Sequence, residues 1–375
     1  MQDELLLMMP GPVPMPQRVR MAMAKQAINH RGPLFGEIYE DCVRMLKPMF
    51  GTENDIYVLS GSGTAAMEAA VGNFCVGKKI VSLVNGKFGD RLCKLSGHYG
   101  DATGIESEWG TPLDLTRLEA ALEDGAEVVT LVHNETSAAI KNPAEAVGKL
   151  ARKHDALFVM DCITSVAGDV VEADKWGADI ALVGSQKCLA APAGLSAISV
   201  SDRAWDQIAE KRPFYLDMEA YRKSGSKSPM QTPYTPAVPL FLALREACLI
   251  VEEEGLLNRI QRHRTMASAV RAAAAAWGIE LFPVLNDIHE YSNTVTAMKM
   301  PEGITDSDFR GMVRKTGIEF SGGQDHLKGK IFRIGTMGAT GAPEVLAVLA
   351  AAQHALTSLG FEVADDGVQA AAEVL

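Results

Sequence analysis

Short apolar runs recur through the first half of the chain, at 56–59, 80–84, 127–132, 156–160 and 178–183. Stretches with helical spacing of apolar residues lie among them, at 36–50, 65–74, 115–122 and 142–154. Strands alternating with helices predict a mostly parallel sheet, because a parallel neighbour is reached only through a crossover. A further apolar run at 196–200 is expected to turn back across that sheet. In such sheets ligands sit beyond the carboxyl ends of the strands. Polar clusters follow the runs there, at 61–64, 85–89, 133–137, 161 and 185–187. Five independent accidents at one edge are hard to credit, so the edge is the expected site.

The first cluster is Ser60-Gly61-Ser62-Gly63-Thr64, ahead of an alanine-rich helix. Strand, glycine loop and helix N-terminus in that order gather free amides and the positive end of the helix dipole at one point, which suits a phosphate. Gly63 lets the backbone approach closely, and the Ser62 and Thr64 hydroxyls add donors. No lysine follows the glycines as in a Walker loop, and a plain turn with an N-cap has the same composition. Next comes Asn85-Gly86-Lys87-Phe88-Gly89-Asp90-Arg91. Phe88, between glycines just past a strand, either anchors the loop or stacks on a flat heteroaromatic ring. The third cluster is His133-Asn134-Glu135-Thr136-Ser137.

Asp161 closes the run 156–160. A carboxylate there is costly unless paired. It either caps the next turn through local amides or faces a cation such as a protonated pyridine nitrogen. Lys187, in Gly184-Ser185-Gln186-Lys187-Cys188, follows the next buried run. A desolvated ammonium is equally costly, unless the amine is held as an imine by an aldehyde such as pyridoxal phosphate. The alternative is an ordinary surface lysine at a strand end.

Residues 10–14, Pro10-Gly11-Pro12-Val13-Pro14, exclude helix and central strand and are expected to form an extended arm. His30 and Arg31 precede a helix; they either close a helix end or face a substrate. Residues 210–235 read as an irregular surface loop, followed by helices at 240–255 and 257–277. Beyond 278 the texture becomes that of a smaller α+β unit. It has a strand at 291–300, a helix at 306–315 and a terminal helix at 344–359, and the runs 318–320 and 330–334 are expected to pair. Arg333, between Phe332 and Ile334, wants a carboxylate, internal or external. The expected division is an arm at 1–15, a large domain at 16–255 and a small one at 256–375.

A net charge of -11 argues against nucleic acid and anionic membrane surfaces. No apolar run is long enough to span a bilayer, and the acidic start at residues 1–4 does not suit a signal peptide, so the cytoplasm is the default location. The six cysteines, at 42, 75, 93, 162, 188 and 248, form no C-x-x-C pair and read as small buried apolar residues. No metal is expected from the cysteine and histidine spacing.

Taken together, these motifs resemble the class V aminotransferases of PLP fold type I, in the branch holding alanine–glyoxylate and serine–pyruvate aminotransferases. The resemblance spans nearly the whole chain and rests most on the Asp161-to-Lys187 spacing and on Gly184-Ser185-Gln186-Lys187 with its trailing Ala-Pro-Ala-Gly. It implies an α/β fold with a mostly parallel seven-stranded sheet and a smaller C-terminal α+β domain, with pyridoxal 5'-phosphate as cofactor. Lys187 would hold the cofactor and shuttle the proton, and Asp161 would hold the pyridinium nitrogen. Ser62, Gly63, Thr64 and Gln186 would take the phosphate, Thr136 the ring hydroxyl, and Phe88 the ring face, where the family often has tryptophan. Arg333 would take the substrate α-carboxylate. Thr232 and Thr235 occupy the loop that reaches a neighbouring subunit's phosphate, which implies a homodimer; a tyrosine is common where Thr232 stands. The implied reaction moves an amino group from alanine or serine to glyoxylate or pyruvate by ping-pong kinetics. Aspartate is an alternative donor, needing a second cation for which Arg31 is the upstream candidate. A cysteine desulfurase would need a nucleophilic cysteine in the C-terminal domain, and none follows Cys248.

Overall fold

The computed structural model describes residues 5–375; the acidic segment 1–4 lies outside the described residues. Its centre is a seven-stranded sheet. In chain order the strands are β1 (Asp55–Ser60), β2 (Lys79–Val84), β3 (Asp101–Glu106), β4 (Val128–Val132), β5 (Leu157–Asp161), β6 (Ile180–Gly184) and β7 (Leu195–Val200). Across the sheet they run β1-β7-β6-β5-β4-β2-β3. Only β7 is antiparallel to its neighbours, as expected for the run that turns back. Because β7 lies between β1 and β6, β1 regains the common direction. All six parallel strands therefore end at one edge, and the polar clusters collect there.

Side chains alternate between sheet faces along a strand. In β5, Leu157 and Val159 pack in one cluster with helix α1 (Gly63–Phe74). Phe158 and Met160 pack in the opposite cluster, with the helices Pro33–Phe50 and Val238–Glu254. Asp161 has the parity of Leu157 and Val159, so it emerges on the α1 side. The fully buried Ala66, Ala69 and Ala70 let α1 lie close to the sheet, which brings its N-terminus over the strand ends.

Phe88 does not lie in a loop. It opens helix α2 (Lys87–Ser96), whose N-cap is Gly86 without a side-chain cap. The start of α2 is fixed by a carboxylate distant in sequence, Glu135, so no local capping signal marks it. Residues 210–235 likewise contain a helix, Met218–Gly225, capped by Asp217 and anchored by buried Met218 and Tyr221.

A second sheet holds β8 (Val295–Lys299), β9 (Ser321–Gly322) and β10 (Ile331–Gly335), in the antiparallel order β8-β10-β9. The strand expected over 291–300 is thus shorter, and Tyr291 pairs instead with Ile140. The expected pairing of 318–320 with 330–334 is also not what forms. Ile318–Glu319 pairs in parallel with Leu6–Leu7 of the arm, and β9 takes the place beside β10. Phe320 between them is buried against Phe309 and Phe332, which separates the two pairings. Met8 joins that cluster, and its carbonyl accepts the Gly335 amide at 2.8 Å. The arm is therefore fixed to the C-terminal part before it crosses the sheet edge. The tail forms a helix, Gly367–Ala372. Five of the six free cysteines are buried, as expected of apolar side chains. No helix among the described residues is long and apolar enough to cross a membrane.

Candidate active site

The site begins where β6 ends. Ser185 donates its hydroxyl to the Pro192 carbonyl at 2.5 Å and accepts the Leu195 amide, closing the loop 185–194 into a rigid return. Lys187 stands on that loop and projects into a cavity of about 230 Å³. The same cavity is lined by Ser62, Gly63, Thr64, Phe88, Asp161 and Gln186. Thr136 and Asn134 line it from the end of β4. Eight of the expected positions, Thr136 and Lys187 included, thus share one space, although they come from five separate strand ends.

Lys187 donates from Nζ to the Pro10 carbonyl at 2.5 Å. Burial lowers its ammonium to about 8, against the pull of the nearby Cys188 and Asp161. An amine so placed is a base available near neutral pH. Asp161 Oδ1 accepts the Ile163 amide at 2.7 Å, and Oδ2 takes no hydrogen bond among the described residues. Burial pushes this carboxyl up to about 7, further helped by the charge of Glu135 and opposed by the Ile163 amide. The local cap accounts for one oxygen and leaves the other free, so capping the next turn and meeting a cation are compatible roles for Asp161.

Arg333, on β10, is buried and donates only to carbonyls: Nη1 to Thr136 at 2.9 Å, Nε and Nη2 to Gly322 at 3.0 and 2.8 Å. It has no carboxylate partner among the described residues. Burial lowers its guanidinium to about 10, and Glu135 opposes that. It touches the cavity wall through Thr136 rather than lining it.

Thr232 and Thr235 do not line this cavity. Thr232 is buried and donates to the Tyr234 carbonyl, while Thr235 is exposed. Arg31 is spent on the same segment, donating to the carbonyls of Thr232 and Pro233 at 2.5 and 3.1 Å. It does not line the cavity that holds Lys187. His133 faces away, with its ring edge on Trp176.

Three residues without an assigned role in the sequence matter here. Glu135 is fully buried and accepts four hydrogen bonds: the Phe88 and Gly89 amides at 2.9 Å each, and the Ser137 amide and hydroxyl. It seats the first turn of α2 and hence Phe88. A Cβ on Gly86 would meet Glu135 Cγ at 2.2 Å, so glycine is required there. Asn134 binds Thr164 and Thr294 through Nδ2, and its Oδ1 is buried without a donor. Arg91 enters the cavity from α2 with its guanidinium over the Phe88 ring, 4.9 Å from the centroid. The run of polar residues 133–137 was a signal for the first two; nothing local distinguished Arg91 from a surface arginine.

The unfilled groups are complementary to a phosphorylated heteroaromatic aldehyde. The amides of Gly63 and Thr64 open α1 with no acceptor, as befits a phosphate seat. Gln186 Oε1 and Asn134 Oδ1 are buried and unpartnered. The free oxygen of Asp161 suits a protonated ring nitrogen, and the half-buried Phe88 offers a π face. Pyridoxal phosphate fits this set.

Residues 17–339 match the family described as Aminotransferase class-V. The chain is 47% identical over 381 residues to an uncharacterized aminotransferase of Methanocaldococcus jannaschii, covering 99% of this chain and 97% of that one. It is 38% identical over 387 residues to a Synechococcus protein named soluble hydrogenase, small subunit, covering 100% and 99%. Among solved structures, ureidoglycine–glyoxylate aminotransferase from Bacillus subtilis is similar with a TM-score of 0.93 at 32% identity, covering 99% of this chain and 97% of that one.

Proposed function

This chain belongs to the class-V aminotransferases, with pyridoxal 5'-phosphate as cofactor, and we propose that it moves the amino group of a small L-amino acid, alanine or serine, to glyoxylate or pyruvate. One observation carries the reading. Lys187 and Asp161 line one cavity, and Arg333, a buried cation without a carboxylate partner, abuts its wall. The solved relative whose name includes glyoxylate supports the acceptor.

Bound here, pyridoxal phosphate supplies an electron sink for the charge left at the substrate Cα when its proton departs. Asp161 would keep the ring nitrogen protonated through its free oxygen. Ser62, Gly63, Thr64 and Gln186 would hold the phosphate, Thr136 would meet the ring hydroxyl, and Phe88 would cover one ring face. Arg333 takes the substrate carboxylate, filling the role no internal group fills. Lys187, its ammonium lowered by burial, moves the proton to and from the substrate Cα. Release of the keto acid before the second substrate enters makes the cycle ping-pong.

The same reading places Thr232 and Thr235 at the phosphate of a second copy in a homodimer, the assembly in the cytoplasm, and a domain division near Gly255. Aspartate is the second reading for the donor, favoured by Arg91, a further cation inside the cavity. Among the described residues no three His, Cys, Asp or Glu side chains gather as metal ligands. The test is direct. The purified protein is mixed with single amino acids and the visible absorption of its cofactor is followed, then glyoxylate or pyruvate is added. Bleaching by alanine or serine and recovery on adding the keto acid support the reading. Bleaching by aspartate alone moves the donor, and release of ammonia or sulfide with no keto-acid requirement overturns the transaminase.

A further inference from the structure

Arg91 lies on α2, three residues past Phe88, and both side chains line the cavity. Its guanidinium lies over the Phe88 ring at 4.9 Å from the centroid, and Nη1 is 3.5 Å from Thr64 Oγ1. Thr64 is in the first turn of α1, where the Gly63 and Thr64 amides have no acceptor. The neighbouring carboxylate, Asp90, is engaged by Lys94 at 2.8 Å. Arg91 makes no ion pair among the described residues. An arginine held by stacking, aimed at a helix N-terminus and lacking a counter-ion, is built to meet a multiply charged anion.

We propose that Arg91 binds the phosphate group of the cofactor, closing the seat formed by Ser62, Gly63 and Thr64 from the side of Phe88. The inference rests on the pyridoxal phosphate reading and deepens it. Its contact with Thr64 favours the phosphate over a substrate carboxylate, because that end of the cavity carries the free amides of α1. The stacking has a second consequence. A phosphate contact would fix the guanidinium that lies over the Phe88 ring, so phosphate recognition and the position of that ring would be coupled through one side chain. Selectivity against aspartate follows as well, since the one extra cation in the cavity is then occupied.

The test uses the full-length protein and its Arg91→Gln and Arg91→Lys variants, stripped of cofactor and checked for folding by circular dichroism. Pyridoxal phosphate and pyridoxal, which lacks the phosphate, are titrated separately and followed by absorbance. Losing one charge-assisted contact to a dianion predicts roughly 10- to 100-fold weaker binding of pyridoxal phosphate by Arg91→Gln, with pyridoxal unchanged. Arg91→Lys is expected to recover part of the loss. Inorganic phosphate should compete with pyridoxal phosphate less effectively in Arg91→Gln than in the wild type. Equal weakening of both ligands would assign Arg91 to Phe88 alone and overturn the proposal. Unchanged cofactor binding with a raised KM for aspartate would reassign it to the substrate. Failure of the wild-type protein to bind pyridoxal phosphate would instead overturn the cofactor reading itself.

Discussion

Lys187 Nζ lies 2.5 Å from the carbonyl oxygen of Pro10, so the arm that begins the described chain passes directly over the lysine at the end of β6. Gly11 makes that passage possible. Its φ is +94°, and a Cβ there would lie 2.6 Å from Lys187 Nζ. Gly11→Ala is therefore expected to be both strained and obstructive. It should lower kcat/KM at least tenfold while the phosphate seat, built from other elements, still holds the cofactor. Steady-state kinetics beside a cofactor titration separate the two, and unaltered kinetics would mean that the arm is free to leave.

Lys187→Ala removes the base outright. A loss of roughly 10³-fold or more in kcat is expected for a positioned proton-transfer group. Single-turnover measurement with alanine reads it. A variant that still turns over at a tenth of the normal rate would leave Lys187 without its proposed role.

Asp161 gives a pH signature. Its carboxyl is raised to about 7 in the fold, against roughly 3.9 in an unfolded chain. Between these values the unfolded state binds fewer protons than the folded state, so stability falls as pH rises from 4 to 7 and the cost is fully present above 7. In cofactor-free protein, Asp161→Asn should therefore unfold later than wild type at pH 8, by about 1–3 kcal/mol, and the gap should close toward pH 5. Denaturant titrations at the two pH values check this. Adding the cofactor should shrink the gap in the wild type, because a positive ring nitrogen offsets the burial of the charge.

Glu135→Gln reverses one set of hydrogen bonds. The four donors around the carboxylate need acceptors, and an amide NH₂ offers none toward Phe88 and Gly89. Leaving buried donors unpaired costs about 2–4 kcal/mol here. Chemical denaturation measures the loss. A variant as stable as wild type would show that α2 is seated by something other than this carboxylate.

Arg333→Gln removes the cation expected to meet the substrate carboxylate. KM for both the amino donor and the keto acid should rise roughly 100-fold, since both carry that group. Cofactor absorbance should be unaffected. A rise for only one of the two substrates would contradict a shared carboxylate site.

Much of the architecture was legible from local pattern. The apolar runs marked the buried strands, because both faces of a parallel sheet are covered. Asp161, Lys187 and the Ser62–Thr64 loop stood out because charge, or glycine beside hydroxyls, followed those runs directly. The misses have a common cause. The helix bearing Phe88 starts at a glycine and is capped by Glu135 from another strand end, so its own sequence carries no start signal. The strand at 318–319 found its partner in the arm, over three hundred residues earlier, because a two-residue pairing is decided by what packs nearby rather than by pattern.

The order of strands and loops in the chain determined that the polar clusters would share one edge, since parallel strands put their carboxyl ends together whatever the details of packing. Which groups at that edge lack partners was decided only in three dimensions. None of Arg31, Arg91 and Arg333 has a carboxylate partner among the described residues, but Arg31 is held outside the cavity on the carbonyls of Thr232 and Pro233, whereas Arg91 lines it and Arg333 abuts its wall through Thr136. No sequence spacing distinguishes these three arginines. A guanidinium becomes available for a ligand in this site only when packing both leaves it without an internal anion and brings it to the cavity, and that is a property of the folded neighbourhood.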